Sequence, residues 1–76
     1  MKPPTELKNL KLLGKRIADL RKQQGLTQEQ LAEKTGMAAH SLAYIEQGQR
    51  FPRYLTTFQK LAKSMNVPLY EFFKGL

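Results

Sequence analysis

Three glycines divide the chain into short segments of helical character; they stand at positions 25, 36 and 48. Apolar residues before the first glycine recur at spacings of three and four: Leu10, Leu13, Ile17 and Leu20. This spacing predicts an amphipathic helix that ends near Gln24. No stretch of useful length alternates apolar and polar residues as a half-buried strand would. We therefore expect an all-α fold.

The two segments that follow predict a second and a third helix. Thr27 and Gln30 have the spacing of a capping box, which places a helix over Gln28 to Thr35 with Gly36 as its stop. The third helix is predicted over residues 38–47, ended by Gly48. Only a tight, glycine-containing turn separates the two helices. That arrangement is the signature of a helix-turn-helix, although any αα-corner could share it.

The C-terminal third predicts two more helices. The inner face of the fourth is expected to comprise Leu55, Phe58, Leu61, Ala62 and Met65. Asn66 should end it, and Pro68 suits the start of a short fifth helix carrying Phe72 and Phe73. Residues 1–8 contain two prolines and are predicted to be a flexible arm. Residues 9–76 are then one compact five-helix bundle.

Composition narrows the classes of function. The 76-residue chain has a net charge of +7, which attracts polyanions but cannot by itself distinguish DNA from RNA, anionic lipid or no special target. Cysteine is absent, which excludes disulfides and thiolate metal sites. No apolar run approaches the roughly 20 residues of a membrane span, and the N-terminus is not a credible signal peptide. We expect a soluble, cytoplasmic protein that does not act at a membrane.

The predicted third helix has two chemically different sides. At about 100° per residue, Ala38, Leu42 and Ile45 fall on one face. The opposite face carries small and hydrogen-bonding residues without net charge: Ala39, His40, Ala43, Tyr44 and Gln47. Small side chains let a helix enter the major groove, where polar side chains can reach base edges. The alternative is an ordinary solvent-exposed helix.

Three sequence strings carry a family resemblance: GKRIADLRKQQGLTQEQLAEKTGM, SLAYIEQGQRFP and KLAKSMNVPLYEFF. Over residues 13–73 the chain resembles the Cro and phage-repressor type of helix-turn-helix domain, the XRE family. The resemblance implies a transcriptional regulator that binds double-stranded DNA.

The resemblance also implies roles for individual residues. Base-reading positions correspond to Ala39, His40, Ser41 and Tyr44. Phosphate-binding positions correspond to Gln28, Gln49, Arg50 and Arg53; Gln28 opens a helix, and helix N-termini favour phosphate. Arg21 and Glu46 correspond to a structural ion pair between the first and third helices.

The chain departs from the usual family pattern in two places. Ala38 stands at the N-cap of the third helix, where the family commonly has Ser or Thr, and alanine cannot cap. The spacing from Pro52 to the Leu61-Ala62 pair is about one residue longer than expected.

Other chemistry has little support in the sequence. His40 has no cysteines or clustered carboxylates with which to bind a metal. Glu29 and Glu33 are interpreted as solvated charge near a helix start, and Ser41 has no evident base partner. The basic first helix could suit a membrane surface, but its apolar stripe is more simply the core face. We expect no enzymatic activity, metal or cofactor.

The leading hypothesis is a homodimeric repressor bound to a pseudo-palindromic operator, because one such domain makes few specific contacts. One of Phe72 and Phe73 is expected in the core and the other at a dimer contact, unless both are buried within the monomer. Two alternatives stay open. One is an antitoxin or partner-binding module of a toxin–antitoxin pair, and the other is a non-specific nucleic-acid chaperone.

Overall fold

The computed structural model describes residues 4–76, with side chains from Lys8 onward. Four α-helices are present in this range: α1 Pro4–Gln23, α2 Gln28–Thr35, α3 Ala39–Glu46 and α4 Leu55–Ser64. A 3-10 helix, Leu69–Phe73, follows, and these described residues include no strand. The all-α prediction is confirmed, but the count of five helices is wrong. The fifth segment instead adopts the tighter 3-10 form, which proteins use in short pieces and as connectors.

Helix α1 begins earlier than the sequence suggested. Of the residues predicted as a flexible arm, Pro4 to Lys8 belong to α1, and residues 1–3 lie outside the described part of the chain. Proline is compatible with the first helical position because the backbone N–H that it lacks would have no partner there. Pro4 therefore begins a helix in a segment that the sequence had been interpreted as an arm.

Each of the four α-helices is followed within two residues by a residue of left-handed backbone conformation, at the stops predicted from the sequence: Gly25, Gly36, Gly48 and Asn66, with φ between 55° and 74°. After each of these, the next N–H donates to a carbonyl five residues back, as from Met37 to Ala32 at 3.0 Å. This bonding satisfies carbonyls that a helix end would otherwise leave unpaired. At Gly36 it closes the turn that joins α2 to α3.

The N-termini of α2 and α3 differ in capping. The Thr27 hydroxyl oxygen accepts from the Gln30 N–H at 3.1 Å, and the Gln30 side-chain oxygen accepts from the Thr27 N–H at 2.9 Å. The predicted capping box is therefore present. Ala38 precedes α3 with the extended conformation of an N-cap, φ −72° and ψ 144°, but provides no side-chain hydrogen bond.

Replacing Ala38 with serine is expected to raise the free energy of unfolding by about 1 kcal/mol, because its hydroxyl can cap an N–H of α3. The backbone already has the required geometry, so no rearrangement opposes the gain in stability. Urea unfolding followed by circular dichroism measures the change. Ala43→Ser, within the same helix, is the matched control and should lower the stability by a few tenths of a kcal/mol. Equal effects at the two positions would contradict a capping role.

One core lies between the helices. Its buried apolar side chains are Leu13, Ile17, Leu20, Leu31, Ala32, Leu42, Ile45, Phe58, Leu61, Ala62, Met65 and Phe72. The α1 stripe is therefore a core face.

Leu55 departs from its prediction because its side chain is 61% exposed. It lies one turn before Phe58, the first α4 side chain to reach the core. Phe72 is completely buried and Phe73 is exposed, so Phe72 is the member of this pair that lies in the core and is not available for a dimer contact.

The C-terminal end of α3 packs directly on the backbone of α1. A Cβ atom added at Gly14 would overlap the carbonyl oxygen of Ile45 and lie 2.7 Å from that of Glu46. One added at Gly48 would lie 2.8 Å from the Cα of Lys11. These two glycines permit a backbone approach that fixes the direction of α3 relative to α1.

Within residues 4–76, no helix combines the length and the apolar character that crossing a bilayer requires. Across the same part of the chain, no three His, Cys, Asp or Glu residues form a cluster that could hold a metal ion.

Candidate nucleic-acid interface

The exposed side of α3 presents an aromatic pair. His40 and Tyr44 are one turn apart, and their ring centroids lie 6.2 Å apart in an edge-to-face arrangement. Both residues are exposed, whereas Leu42 and Ile45 on the opposite side are buried. The packing of α3 therefore leaves the two polar rings in solvent, on the side from which a groove could be approached.

The other two predicted base-reading residues lie at the edge of this surface. Ser41 is half-buried, and Ala39 is half-buried and packs against the core. Ala39 is therefore less available than the sequence suggested, because only part of its methyl group faces outward. His40 and Tyr44 provide most of the polar surface of α3.

The loop after α3 brings basic side chains to this surface. The guanidinium carbon of Arg50 lies 5.3 Å from the centre of the Tyr44 ring, a cation–π contact that holds Arg50 beside α3. Gln49 and Arg53 are also exposed. Arg50 and Arg53 line a groove between α3 and the start of α4, with Ser41 on its α3 side. The structure thus brings one predicted base-reading residue close to two predicted phosphate-binding residues.

The predicted ion pair lies just behind this surface. Arg21 Nε donates to Glu46 Oε2 at 2.8 Å, and Arg21 Nη2 donates to Glu46 Oε1 at 3.0 Å. A third donor, Arg21 Nη1, bonds the carbonyl of Leu26 at 2.8 Å. The two charged side chains are only 10% and 4% exposed. This two-point pairing joins α1 to the end of α3.

Gln28 has a partner that the sequence did not reveal. Its side-chain Nε2 donates to Glu46 Oε1 at 2.9 Å, so its amide is bonded to the ion pair. The two residues are 18 positions apart, and no spacing rule connects them. The resemblance named Gln28 for phosphate and Glu46 for the ion pair, without linking the two roles.

Because Glu46 is buried, the exposed side of α3 and the loop after it carry positive charge. Glu46 is the only acidic residue between positions 38 and 53, and its carboxylate is both buried and paired. Arg50 and Arg53 are exposed in the same segment. The exposed side of α3 and its following loop therefore has positive charge and no competing surface carboxylate. Such a surface favours a polyanion.

Sequence reasoning missed an apolar surface beside the start of α4. Phe51 and Phe73 both pack on Phe58, with ring centroids 5.3 and 5.4 Å from it. Phe51, Phe73 and Leu55, the first residue of α4, are themselves exposed. We call these three residues the apolar surface. The sequence offered two signals for it: Phe51, an aromatic residue in a loop outside any periodic stripe, and Phe73, one of the two residues named for a dimer contact.

Comparison with known proteins decides the family. The sequence profile described as "Helix-turn-helix domain" matches residues 14–75 of the 76. This chain belongs to the helix-turn-helix family. The exposed α3 of this helix-turn-helix protein is the element that such domains present to DNA. The resemblance to the Cro and phage-repressor type is confirmed.

Several relatives support this assignment. The HTH-type transcriptional regulator PuuR of Escherichia coli (strain K12) is 42% identical over 60 residues, which cover 79% of this chain and 32% of PuuR. The chain thus spans about a third of that relative's length. The uncharacterized HTH-type transcriptional regulator y4dJ of Sinorhizobium fredii (strain NBRC 101917 / NGR234) is 37% identical over 61 residues, with 80% and 78% of the two chains covered.

Solved structures show the same fold. The restriction-modification controller protein C.AhdI from Aeromonas hydrophila has a TM-score of 0.83 at 33% identity, covering 87% of this chain and 98% of C.AhdI. An HTH_3 family transcriptional regulator from Vibrio cholerae has a TM-score of 0.80 at 26% identity, covering 90% of this chain and 38% of its own. This helix-turn-helix protein is therefore a DNA-binding domain of the kind found in transcriptional regulators.

Proposed function

We propose that this chain binds double-stranded DNA sequence-specifically, with α3 in the major groove, and regulates transcription from the site it occupies. The observation that supports this most is the exposed His40–Tyr44 pair, flanked by Arg50 in a segment (residues 38–53) whose one carboxylate is buried. A helix with this surface can approach phosphates closely while its side chains reach base edges.

The proposed contacts fall into two classes. His40, Ser41 and Tyr44 read base edges, and the partly exposed methyl group of Ala39 can touch a thymine methyl. Gln28, Gln49, Arg50 and Arg53 bind phosphates, which provide affinity without sequence information. The groove that brings Ser41 beside Arg50 and Arg53 supports placing the two classes next to each other.

We also propose that the chain acts as a homodimer on a pseudo-palindromic operator and represses by blocking polymerase at the nucleoid. A twofold dimer places two recognition helices about 34 Å apart, one DNA turn, and doubles a small set of specific contacts. The apolar surface formed by Phe51, Leu55 and Phe73 supports the dimer, because exposed apolar patches commonly mark association sites.

Base reading is tested by selecting bound sequences from random DNA with the wild type, His40→Ala and Tyr44→Ala. We expect each variant to prefer a different sequence, because each removes a side chain that faces the bases. Arg50→Ala is the matched control: it should weaken binding to all sequences alike and reduce the salt slope by about 1. Unchanged preference in both α3 variants would contradict base reading, and a wild-type salt slope would remove Arg50 from the phosphate contacts.

Further measurements with the selected DNA distinguish the dimer and the alternative functions. Sedimentation of the complex with the selected DNA should show two chains per site, and one chain per site would contradict the dimer. Equal affinity of the wild type for selected and random DNA would instead support a non-specific nucleic-acid chaperone. An antitoxin role would require a stable complex with a second small protein that competes with DNA.

A further inference from the structure

Side chains from three helices meet at the carboxylate of Glu46. Its Oε1 accepts from both Arg21 of α1 and Gln28 of α2, and its Oε2 accepts a second bond from Arg21. The remaining bonded nitrogen of Arg21 donates to Leu26, in the turn between α1 and α2. The last residue of α3 is thus connected to the first residue of α2 by a partly buried hydrogen bond.

The chemistry of the carboxylate decides which way the Gln28 amide is turned. A carboxylate that pairs with a guanidinium only accepts hydrogen bonds, so the Gln28 atom facing it must be Nε2 and not Oε1. One Nε2 hydrogen is directed to Glu46. The second remains for another acceptor. A glutamine side chain that could otherwise rotate freely is therefore held in one orientation before any ligand arrives.

We propose that Glu46 is a positioning residue for DNA binding, which orients the Gln28 amide so that its second N–H meets a backbone phosphate. This inference rests on the proposed function, which assigns Gln28 to a phosphate. Arg21 fixes Glu46, and Glu46 fixes Gln28, so the junction of α1 and α3 sets the geometry of a contact made from α2. Because the amide is ordered in the free protein, binding immobilises one rotamer-rich side chain fewer.

A double-mutant cycle tests the inference, with Glu46→Gln, Gln28→Met and the double variant. Methionine keeps the length of Gln28 but has no amide, and Glu46→Gln removes the requirement that the partner present Nε2. The affinity for the selected operator is measured by fluorescence anisotropy at one fixed salt concentration. We expect Glu46→Gln to weaken binding about 3- to 10-fold when Gln28 is present. In the Gln28→Met background it should have no effect.

A second readout examines the amide directly in the free protein. The side-chain NH₂ resonances of Gln28, assigned by their loss in Gln28→Met, should be well separated from those of exposed glutamines. In Glu46→Gln they should move to the position of exposed glutamines while the backbone spectrum stays dispersed. A purely structural role of Glu46 would not predict this selective change. If Glu46→Gln does not fold, Glu46→Asp replaces it, since the shorter carboxylate keeps its charge but cannot reach both partners.

Additive effects on affinity, or Gln28 resonances unchanged in Glu46→Gln, would overturn the inference. So would wild-type affinity of Gln28→Met, because Glu46 would then position a contact that is not made. A different result would contradict the proposed function: the wild type would then select no sequence from random DNA. In that case the Gln28 resonances would still decide whether Glu46 orders the amide, and an unordered amide would overturn the inference on its own.

Discussion

Replacing Gly14 with alanine is expected to lower the free energy of unfolding by at least about 2 kcal/mol. The added methyl group would overlap the carbonyl oxygen of Ile45 and press on that of Glu46. Both are backbone atoms at the end of α3, so they cannot avoid the methyl group by a change of rotamer. The whole end of α3 must move away from α1, which loosens the core on both helices.

The direction of the change in unfolding free energy distinguishes a steric clash at Gly14 from an effect of helix propensity. At an exposed helical position, Gly→Ala stabilises by about 0.5–1 kcal/mol, because alanine restricts the unfolded chain. At Gly14 we expect the opposite sign, with a melting temperature lower by roughly 8–16 °C for a domain of this size. Thermal and urea unfolding measure it. Lys15→Ala, at the exposed neighbouring position, should change the stability by less than about 0.5 kcal/mol. A more stable Gly14→Ala variant would show that α3 does not approach α1 this closely.

Replacing Arg21 with methionine is expected to lower the free energy of unfolding by about 3–5 kcal/mol. The variant leaves the Glu46 carboxylate buried without either guanidinium bond, and the Leu26 carbonyl loses its donor. Removal of one partner of a buried pair costs more than the pair contributes, because the remaining charge cannot return to water. Domains of this kind are stable by about 5–15 kcal/mol in total, so urea unfolding should show a large shift of the midpoint.

The cause of this loss can be isolated by a second substitution. Arg21→Met combined with Glu46→Leu should recover much of the stability, because no unpaired charge then remains in the interior. Lys74→Ala is the matched control, since the Lys74–Glu71 pair lies at 3.4 Å with side chains 60% and 25% exposed. Its loss should change the stability by no more than about 0.5 kcal/mol. If the double variant is no more stable than Arg21→Met, the buried charge is not the source of the loss.

Helix ends were predicted more accurately than helix contacts, for a local reason. The stops at Gly36 and Asn66 and the capping box at Thr27 depend on backbone conformation and on side chains within a few residues, which sequence order brings together. The start of α1 was misjudged because a proline is compatible both with an arm and with the first helical position.

The candidate site was predicted in part. Helical periodicity placed His40 and Tyr44 on one side of α3 and Leu42 on the other, because all of them belong to one helix. Periodicity within α3 could not show that Ala39 packs on the core, since that depends on the neighbouring helices. The stacking of Arg50 on Tyr44 depends on the path of an irregular loop, which no spacing rule describes.

The sequence by itself determined the helical periodicity, the places where the helices end and the uncharged, outward face of α3, because each depends on neighbours along the chain. Only the tertiary structure decided that Phe72 is buried while Phe73 is exposed, and that one carboxylate joins Arg21 to Gln28. Contacts of this second kind join residues far apart in the chain. Their geometry depends on how closely whole helices pack, and in this protein the absence of a side chain at Gly14 permits the end of α3 to approach α1.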